Sequence, residues 1–128
     1  MSEVVFTQHA PAPIGAYQQA IKAGNLVFLS GQIGLDPITG EMVSLDFSAQ
    51  THQVFKNLQA VCKASGGELG DLVKITVFLS DMSYFPIFNQ IMLEYFPSHV
   101  YPARSAVACL GLPKNALVEI EGILVLKS

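Results

Sequence analysis

Charged side chains are scarce in this sequence. Only 13% of its 128 residues are Asp, Glu, Lys or Arg, while 51% are apolar. Soluble domains carry about 25% charged residues, and a domain of this size has a large surface to cover. We therefore expect part of the apolar surface to be buried against other subunits.

Clusters of lysine and arginine are absent, and no apolar run reaches the ~18 residues that span a bilayer. The net charge is −3. Because nucleic-acid affinity comes mostly from neutralised phosphates, this balance argues against a nucleic-acid partner. Residues 1–6 lack the basic and apolar regions of a signal peptide. We expect a cytoplasmic protein with no membrane partner.

Cysteine is also rare. The two thiols, Cys62 and Cys109, have no CxxC spacing, and neither an HExxH motif nor a glycine-rich phosphate loop occurs. Such motifs would indicate a metal or a phosphate-bearing cofactor. We predict two reduced thiols of a cytoplasmic protein and no metal or cofactor.

The apolar pattern predicts a single domain, residues 1–128, in the order β-β-α-β-α-β-β with about six strands. Residues 26–29 are apolar at every position, which is typical of a strand covered on both faces. Residues 72–80 alternate, which indicates a strand with one buried face. The side chains predicted to be buried there are Val73, Ile75, Val77 and Leu79.

Two helices are predicted. Ser48 is the expected N-cap of the first, which runs to about residue 65 and ends at Gly66 and Gly67. Asp81 or Ser83 caps the second, which residue 97, a proline, ends. One apolar stripe on each helix favours packing of both on one face of a mixed sheet. Self-association is the simplest cover for the other face.

The C-terminal third carries the charges of most interest. We interpret its two apolar runs, 106–110 and 116–126, as a hairpin headed by Arg104. An arginine among apolar residues needs a partner. A structural salt bridge to a glutamate and a ligand carboxylate, which the planar fork accepts in bidentate fashion, both satisfy it.

Glu119 and Glu121 share one face of the last strand, about 7 Å apart at strand rise. By the same parity Arg104 and Ala106 share a face, whereas Cys109 points the other way. The glutamates either blunt an exposed edge strand or contribute to a site.

Three other positions are candidates. Gly31, at the end of a strand, lets the backbone approach a ligand or another chain closely. Tyr17 is either a rim aromatic with its hydroxyl in water or a residue aimed into a pocket. Asn89 is the polar side chain of the second helix that can reach such a pocket.

The sequence resembles the RidA family, also called YjgF-type proteins. The similarity lies in YPARS at 101–105, LPK at 112–114 and VEIE at 118–121, and it extends through IGAY at 14–17, SGQI at 30–33 and the run 72–79. It covers nearly the whole chain. The resemblance implies a chorismate-mutase-like α/β fold and a homotrimer with clefts between subunits.

The same resemblance implies an activity: hydrolysis of reactive enamine/imine intermediates to 2-keto acids and ammonia. The substrates are 2-iminobutanoate and 2-iminopropanoate, released by pyridoxal-phosphate-dependent serine/threonine dehydratases. By analogy Arg104 holds the substrate carboxylate, and Glu119 orients or deprotonates the attacking water. The family's other pocket positions correspond to Tyr17, Ser30, Asn89 and the backbone near Gly31.

One position departs from the family. Many members have cysteine where this chain has Ala106. The backbone N–H of residue 106 remains for substrate binding, and attack by water needs no thiol, so we expect activity to persist.

Two other functions stay open. An endoribonuclease or translation inhibitor is one, and the acidic net charge argues against it. The other is a non-catalytic module that binds small carboxylates such as 2-ketobutyrate. Arg104 suits binding and catalysis equally, so only Glu119 separates the module from a deaminase.

Overall fold

Six strands and two α-helices follow one another in a computed structural model that describes residues 2–127. The elements are β1 Ser2–Val5, β2 Ala20–Ala23, β3 Leu26–Gln32, α1 Phe47–Ala64, β4 Leu72–Leu79, α2 Phe85–Tyr95, β5 Ala103–Ala108 and β6 Val118–Val125. The predicted class, with six strands and two helices, is confirmed. Three strands precede α1, one more than in the predicted order.

All six strands form one mixed sheet in the order β1-β2-β3-β6-β4-β5. β4 and β5 are parallel and are joined through α2, while the other neighbours pair antiparallel. Parallel neighbours need such a crossover because a tight turn cannot return the chain in the same direction.

The predicted hairpin of the last two strands is wrong. β6 lies between β3 and β4, and β5 forms the edge of the sheet next to β4. The central position suits the sequence of β6, since Val118, Ile120 and Leu124 are completely buried there. Glu119 and Glu121 therefore do not blunt an edge strand.

The first helix begins earlier than predicted. Its N-cap is Asp46, whose side chain accepts a hydrogen bond from the backbone N–H of Ala49, and not Ser48. A cap at Asp46 lets Phe47 enter the first turn and be buried in the core. Asp81 caps a short 3-10 turn, Met82–Tyr84, that leads into α2.

One residue of β4 was assigned to the wrong face. Val73 is 47% exposed, whereas Ile75, Val77 and Leu79 are buried as predicted. The pairing of β4 with β6 shifts register between Leu72 and Lys74, so Val73 is an extra residue in the ladder. Such a bulge reverses the facing of the residue it inserts.

Both helices pack on one face of the sheet, and the opposite face, which we call the open face, carries no element of residues 2–127. On β3 the apolar side chains of Val27 and Leu29 are buried, as is Gln32 at the strand end, while Leu26 and Phe28 are exposed on the open face. The open face also bears Ile123 of β6, which pairs with Phe28. Exposed apolar surface of this extent is typical of an interface.

Membrane insertion through a helix finds no support in the described part of the chain. Neither α1 nor α2 is both long and apolar enough to cross a bilayer.

Candidate active site

Glu119 lies on the open face, beside an irregularity in the sheet. Its neighbours on β6, Val118 and Ile120, are buried on the helix side. The pairing of β3 with β6 shifts register nearby, so that Ser30 and Gly31 stand against one residue of β6. Bulges of this kind redirect side chains and are frequent at active sites.

A pocket of about 300 Å³ opens at this irregularity. Its lining includes Tyr17, Ser30, Gly31, Glu119 and Glu121. The structure therefore brings together three of the candidate residues with Glu119. Glu121, predicted to share its face, lies in the same pocket.

The pKa of Glu119 is raised above the ordinary value of a glutamate. Burial of the half-buried carboxylate is the main cause, and the negative charge of Glu121 adds to it. Both disfavour the charged form. A carboxyl group with such a pKa can accept a proton and return it more readily than an exposed one.

Two neighbours of Glu119 are fixed by hydrogen bonds. The Ser30 hydroxyl donates to the carbonyl oxygen of Gln18 over 2.6 Å. The Tyr17 hydroxyl accepts a bond from the backbone N–H of Ile14 at 3.2 Å, and the side chain is 43% exposed. Tyr17 is thus a rim residue whose ring borders the pocket, with a hydroxyl that can still donate.

Gln19 was missed by the sequence reasoning. Its buried amide donates to the carbonyl oxygens of Thr7, Ala10 and Pro11, and its Oε1 accepts from the N–H of Thr7. These bonds hold the proline-containing N-terminal segment beside a second, smaller cavity of about 40 Å³, which Pro11, Gln19 and Glu119 all line. The sequence offered only a weak signal for Gln19, namely its place shortly after the proline- and glycine-containing stretch 11–15.

Arg104 lies on the other face of the sheet. It pairs with buried Ile75 on β4, and its Nη1 donates to Asn89 Oδ1 over 2.7 Å. The guanidinium carbon is 5.1 Å from the centre of the Phe85 ring and 5.9 Å from that of Phe88. Phe85 and Phe88, both on α2, are therefore neighbours of a candidate site residue.

All of these partners of Arg104 are uncharged. Within residues 2–127, no carboxylate lies at ion-pair distance from the guanidinium. The predicted salt bridge to a glutamate is thus not formed inside one chain. Asn89, taken as a substrate-binding residue, uses its carbonyl oxygen to hold Arg104.

The candidate residues fall into two groups. Tyr17, Ser30, Gly31 and Glu119 lie at the open-face pocket, whereas Arg104 and Asn89 lie on the helix side with Ala106. Arg104 pairs with Ile75 and Glu119 with Phe78, two positions of β4 that point to opposite faces, so Arg104 and Glu119 face opposite sides of one sheet. One chain alone does not bring them together.

The two thiols differ in their surroundings. Neither thiol occupies the position where many relatives have cysteine, which is Ala106 in this chain. Ala106 lies two residues after Arg104 and pairs with buried Val77. Cys109 follows β5, and its sulfur lies 3.5 Å from the carbonyl oxygen of Leu79. Burial raises the pKa of Cys62 to about 12, with the charge of Asp71 as a smaller cause, which makes that thiol a poor nucleophile.

Comparison with known proteins gives a consistent result. Residues 7–126 match the model of a family described as endoribonuclease L-PSP. A RutC family protein of Pyrococcus horikoshii is 51% identical over 123 residues, which cover 96% of this chain and 97% of that protein.

Two further relatives carry names that bear on activity. A 2-iminobutanoate/2-iminopropanoate deaminase of Dermatophagoides farinae is 46% identical over 97% of this chain and 96% of that one. The crystal structure of RidA from an Antarctic Psychrobacter bacterium superposes with a TM-score of 0.94 at 47% identity, over 97% of this chain and 99% of that chain.

Proposed function

The chain belongs to the endoribonuclease L-PSP family, also known as the YjgF/RidA family, and we propose on that premise that it hydrolyses 2-imino acids to 2-keto acids and ammonia. The observation that carries the proposal is Arg104, a half-buried guanidinium held by neutral groups. Such a cation fits a small ligand that brings its own carboxylate.

The active site combines two chains. Arg104 and Glu119 lie on opposite faces of one sheet, so a cleft that uses both takes Arg104 from one subunit and Glu119 from its neighbour. The uncovered apolar face around Phe28 supports self-association. A homotrimer with three such clefts meets both requirements under closed symmetry.

In 2-iminobutanoate and 2-iminopropanoate the carboxylate is bonded to the imine carbon. Holding it on Arg104 therefore fixes the carbon that is attacked, which lowers the entropic part of the barrier. Asn89 contributes by fixing the guanidinium. The backbone N–H of Ala106, two residues further along β5, is available to the substrate.

Glu119 manages the protons. The oxygen of a water molecule adds to the imine carbon, Glu119 takes a proton from this water, and the nitrogen receives it, which gives a carbinolamine. Glu119 then moves the hydroxyl proton to the nitrogen, the C–N bond breaks, and ammonia leaves the keto acid. The raised pKa of Glu119 suits both transfers. The hydroxyls of Tyr17 and Ser30 border this reaction.

No step requires the thiol that many relatives have at the position of Ala106. Water is the nucleophile, and Cys109 lies beyond the end of β5. The supply of substrate connects the protein functionally to pyridoxal-phosphate-dependent serine and threonine dehydratases, whose reaction releases these imines.

Endoribonuclease activity is the second candidate, because the family description names it. The net charge of −3 argues against it. A binding module for small carboxylates would use Arg104 in the same way but would have no use for Glu119.

One assay tests the proposal. Threonine dehydratase acting on threonine releases an imine that decays to keto acid unaided, and semicarbazide traps the imine. A catalytic amount of the protein should accelerate keto acid formation and reduce the semicarbazide adduct while the dehydratase rate stays constant. Glu119→Gln, nearly isosteric but a far weaker base, should still bind 2-ketobutyrate and lose most of the acceleration.

The other functions give different outcomes. A binding module would bind 2-ketobutyrate saturably without any acceleration. A ribonuclease would cleave RNA and leave the imine lifetime unchanged. Wild-type protein that does not shorten that lifetime would exclude deaminase activity on these substrates.

A further inference from the structure

Gly31 occupies an unusual place beside Glu119. A Cβ atom built on Gly31 would overlap Glu119 Oε2, and it would lie 2.8 Å from Cδ and 3.0 Å from Cγ of the same side chain. Real Cβ atoms almost never come that close to another heavy atom. The Glu119 carboxyl group therefore fills the space that any side chain at position 31 would take.

Backbone conformation does not explain this glycine. The glycines with positive φ in the described chain are Gly24, Gly40 and Gly66, so Gly31 has a φ that other residues adopt freely. Its missing side chain, and not its conformational freedom, is what the site uses. The register shift at Ser30 and Gly31 brings this bare stretch of β3 under the carboxylate.

We propose that Gly31 is a positioning residue for Glu119. Because Gly31 has no side chain, the Glu119 carboxyl group packs directly against its backbone, and this contact holds the carboxyl group in the position that the reaction needs. The proposal depends on the proposed function for its consequence in catalysis, though not for the contact itself. It differs from a role in substrate binding by the Gly31 backbone, because the partner here is a side chain of β6.

The residues around Glu119 leave its carboxyl group few alternative positions. The strand on the far side of β6 presents Phe78 opposite Glu119. Glu121, on the same face of β6, repels it. Tyr17, from the N-terminal segment, is the other titratable side chain that lines the pocket. A methyl group at position 31 would push the carboxyl group towards solvent or towards Glu121.

The test compares wild type with Gly31→Ala, Glu119→Gln and the double variant, using Gly70→Ala as the matched control. Gly70 also lacks a positive φ, and a Cβ there would meet nothing within 4 Å. Each protein is checked for fold by circular dichroism and for assembly by light scattering. Imine hydrolysis then gives kcat and KM.

Gly31→Ala should lower kcat about tenfold or more, since an ångström of misplacement costs up to about a hundredfold, and it should leave KM close to that of wild type. The kcat of the double variant should match that of Glu119→Gln alone, because the position of side chain 119 no longer matters once it lacks a carboxylate. Gly70→Ala should match wild type.

Two results would overturn the proposal: wild-type kcat in Gly31→Ala, or an additive loss in the double variant, which would give Gly31 a role independent of Glu119. Should Gly31→Ala fail to fold, Glu119→Ala with Gly31→Ala should fold and melt at the temperature of Glu119→Ala alone. If this double variant also fails to fold, the clash does not involve Glu119, and the proposal is refuted.

This melting comparison needs no activity. An inactive wild type would end the proposed function, yet coupling between positions 31 and 119 in melting temperature would still support the contact. The two ideas can therefore fail separately.

Discussion

Arg104 is the only arginine of the 128-residue chain, and every partner it has in the described structure is neutral. Removing a guanidinium from water costs free energy, which the bond to Asn89 and the rings of Phe85 and Phe88 offset only in part. An anion that binds Arg104 therefore meets a cation that is already partly desolvated and fixed in direction.

Arg104→Ala should remove most of the activity and leave the fold intact. Loss of one member of a buried, charge-paired contact costs roughly 2–5 kcal/mol, which corresponds to a fall in kcat/KM of about 30-fold to several thousandfold. Steady-state kinetics and circular dichroism measure the two effects. Lys56→Ala, which removes an exposed cation from α1, is the control and should be silent. Near-wild-type turnover by Arg104→Ala would refute the carboxylate-binding role.

The raised pKa of Glu119 leads to a prediction about the loss of activity at low pH, the acid limb of the pH profile. As a base it works deprotonated, so activity falls as the pH drops through its pKa, which burial and Glu121 raise. Glu121→Gln removes the smaller of these causes and should move the midpoint of the acid limb to lower pH, while the part due to burial persists. The pH dependence of kcat/KM measures it. A limb that stays in place, or moves to higher pH, would contradict the coupling.

Sequence parity could place side chains on strand faces but not across the sheet. It correctly put Glu119 with Glu121 and Arg104 with Ala106, because alternation is a local property of a strand. It did not show that Arg104 and Glu119 lie on opposite faces, since that depends on which strands are neighbours. The contacts of Gln19 with the N-terminal segment and of Gly31 with Glu119 join residues that are distant in the sequence, so they left almost no local signal.

At the scale of elements, the mistaken hairpin has a clear physical cause. A turn between two apolar runs, 106–110 and 116–126, normally favours antiparallel pairing of neighbours. Here β5 pairs parallel with β4, to which it is connected through α2. β6 lies at the centre of the sheet between β3 and β4, where its apolar face is completely buried. The helices and β4, whose periodicity is strong, were predictable from the sequence.

The cap of α1 gives a prediction at this scale. Asp46→Ala should lower the free energy of unfolding by about 1 kcal/mol, because the N–H of Ala49 loses its acceptor. Ser48→Ala, at the position predicted as the cap, is the matched control and should cost much less. Urea unfolding at one fixed protein concentration measures both, since assembly affects apparent stability. Equal effects of the two variants would argue against Asp46 as the cap.

At the scale of the whole molecule, we expect the open face to form the subunit contacts. Its apolar side chains, among them Phe28, are exposed in a single chain whose composition offers few charges. Phe28→Glu would place a charge where the proposed trimer buries apolar surface, so it should dissociate the assembly and abolish activity together. Light scattering at micromolar concentration reads the mass. Ile38→Glu, in an exposed turn, is the control and should remain a trimer; a wild type that is a monomer would remove the basis of the shared cleft.

The strongest test of that cleft mixes two inactive proteins. Arg104→Ala supplies an intact Glu119, and Glu119→Gln supplies an intact Arg104. If each cleft takes the two residues from different subunits, random trimers of an equimolar mixture contain about one quarter of clefts with both native residues. Unfolding and refolding the mixture, or expressing both chains together, should therefore restore about a quarter of wild-type activity. A site built within one chain would give none, and so would two proteins mixed without exchange of subunits, which serves as the control.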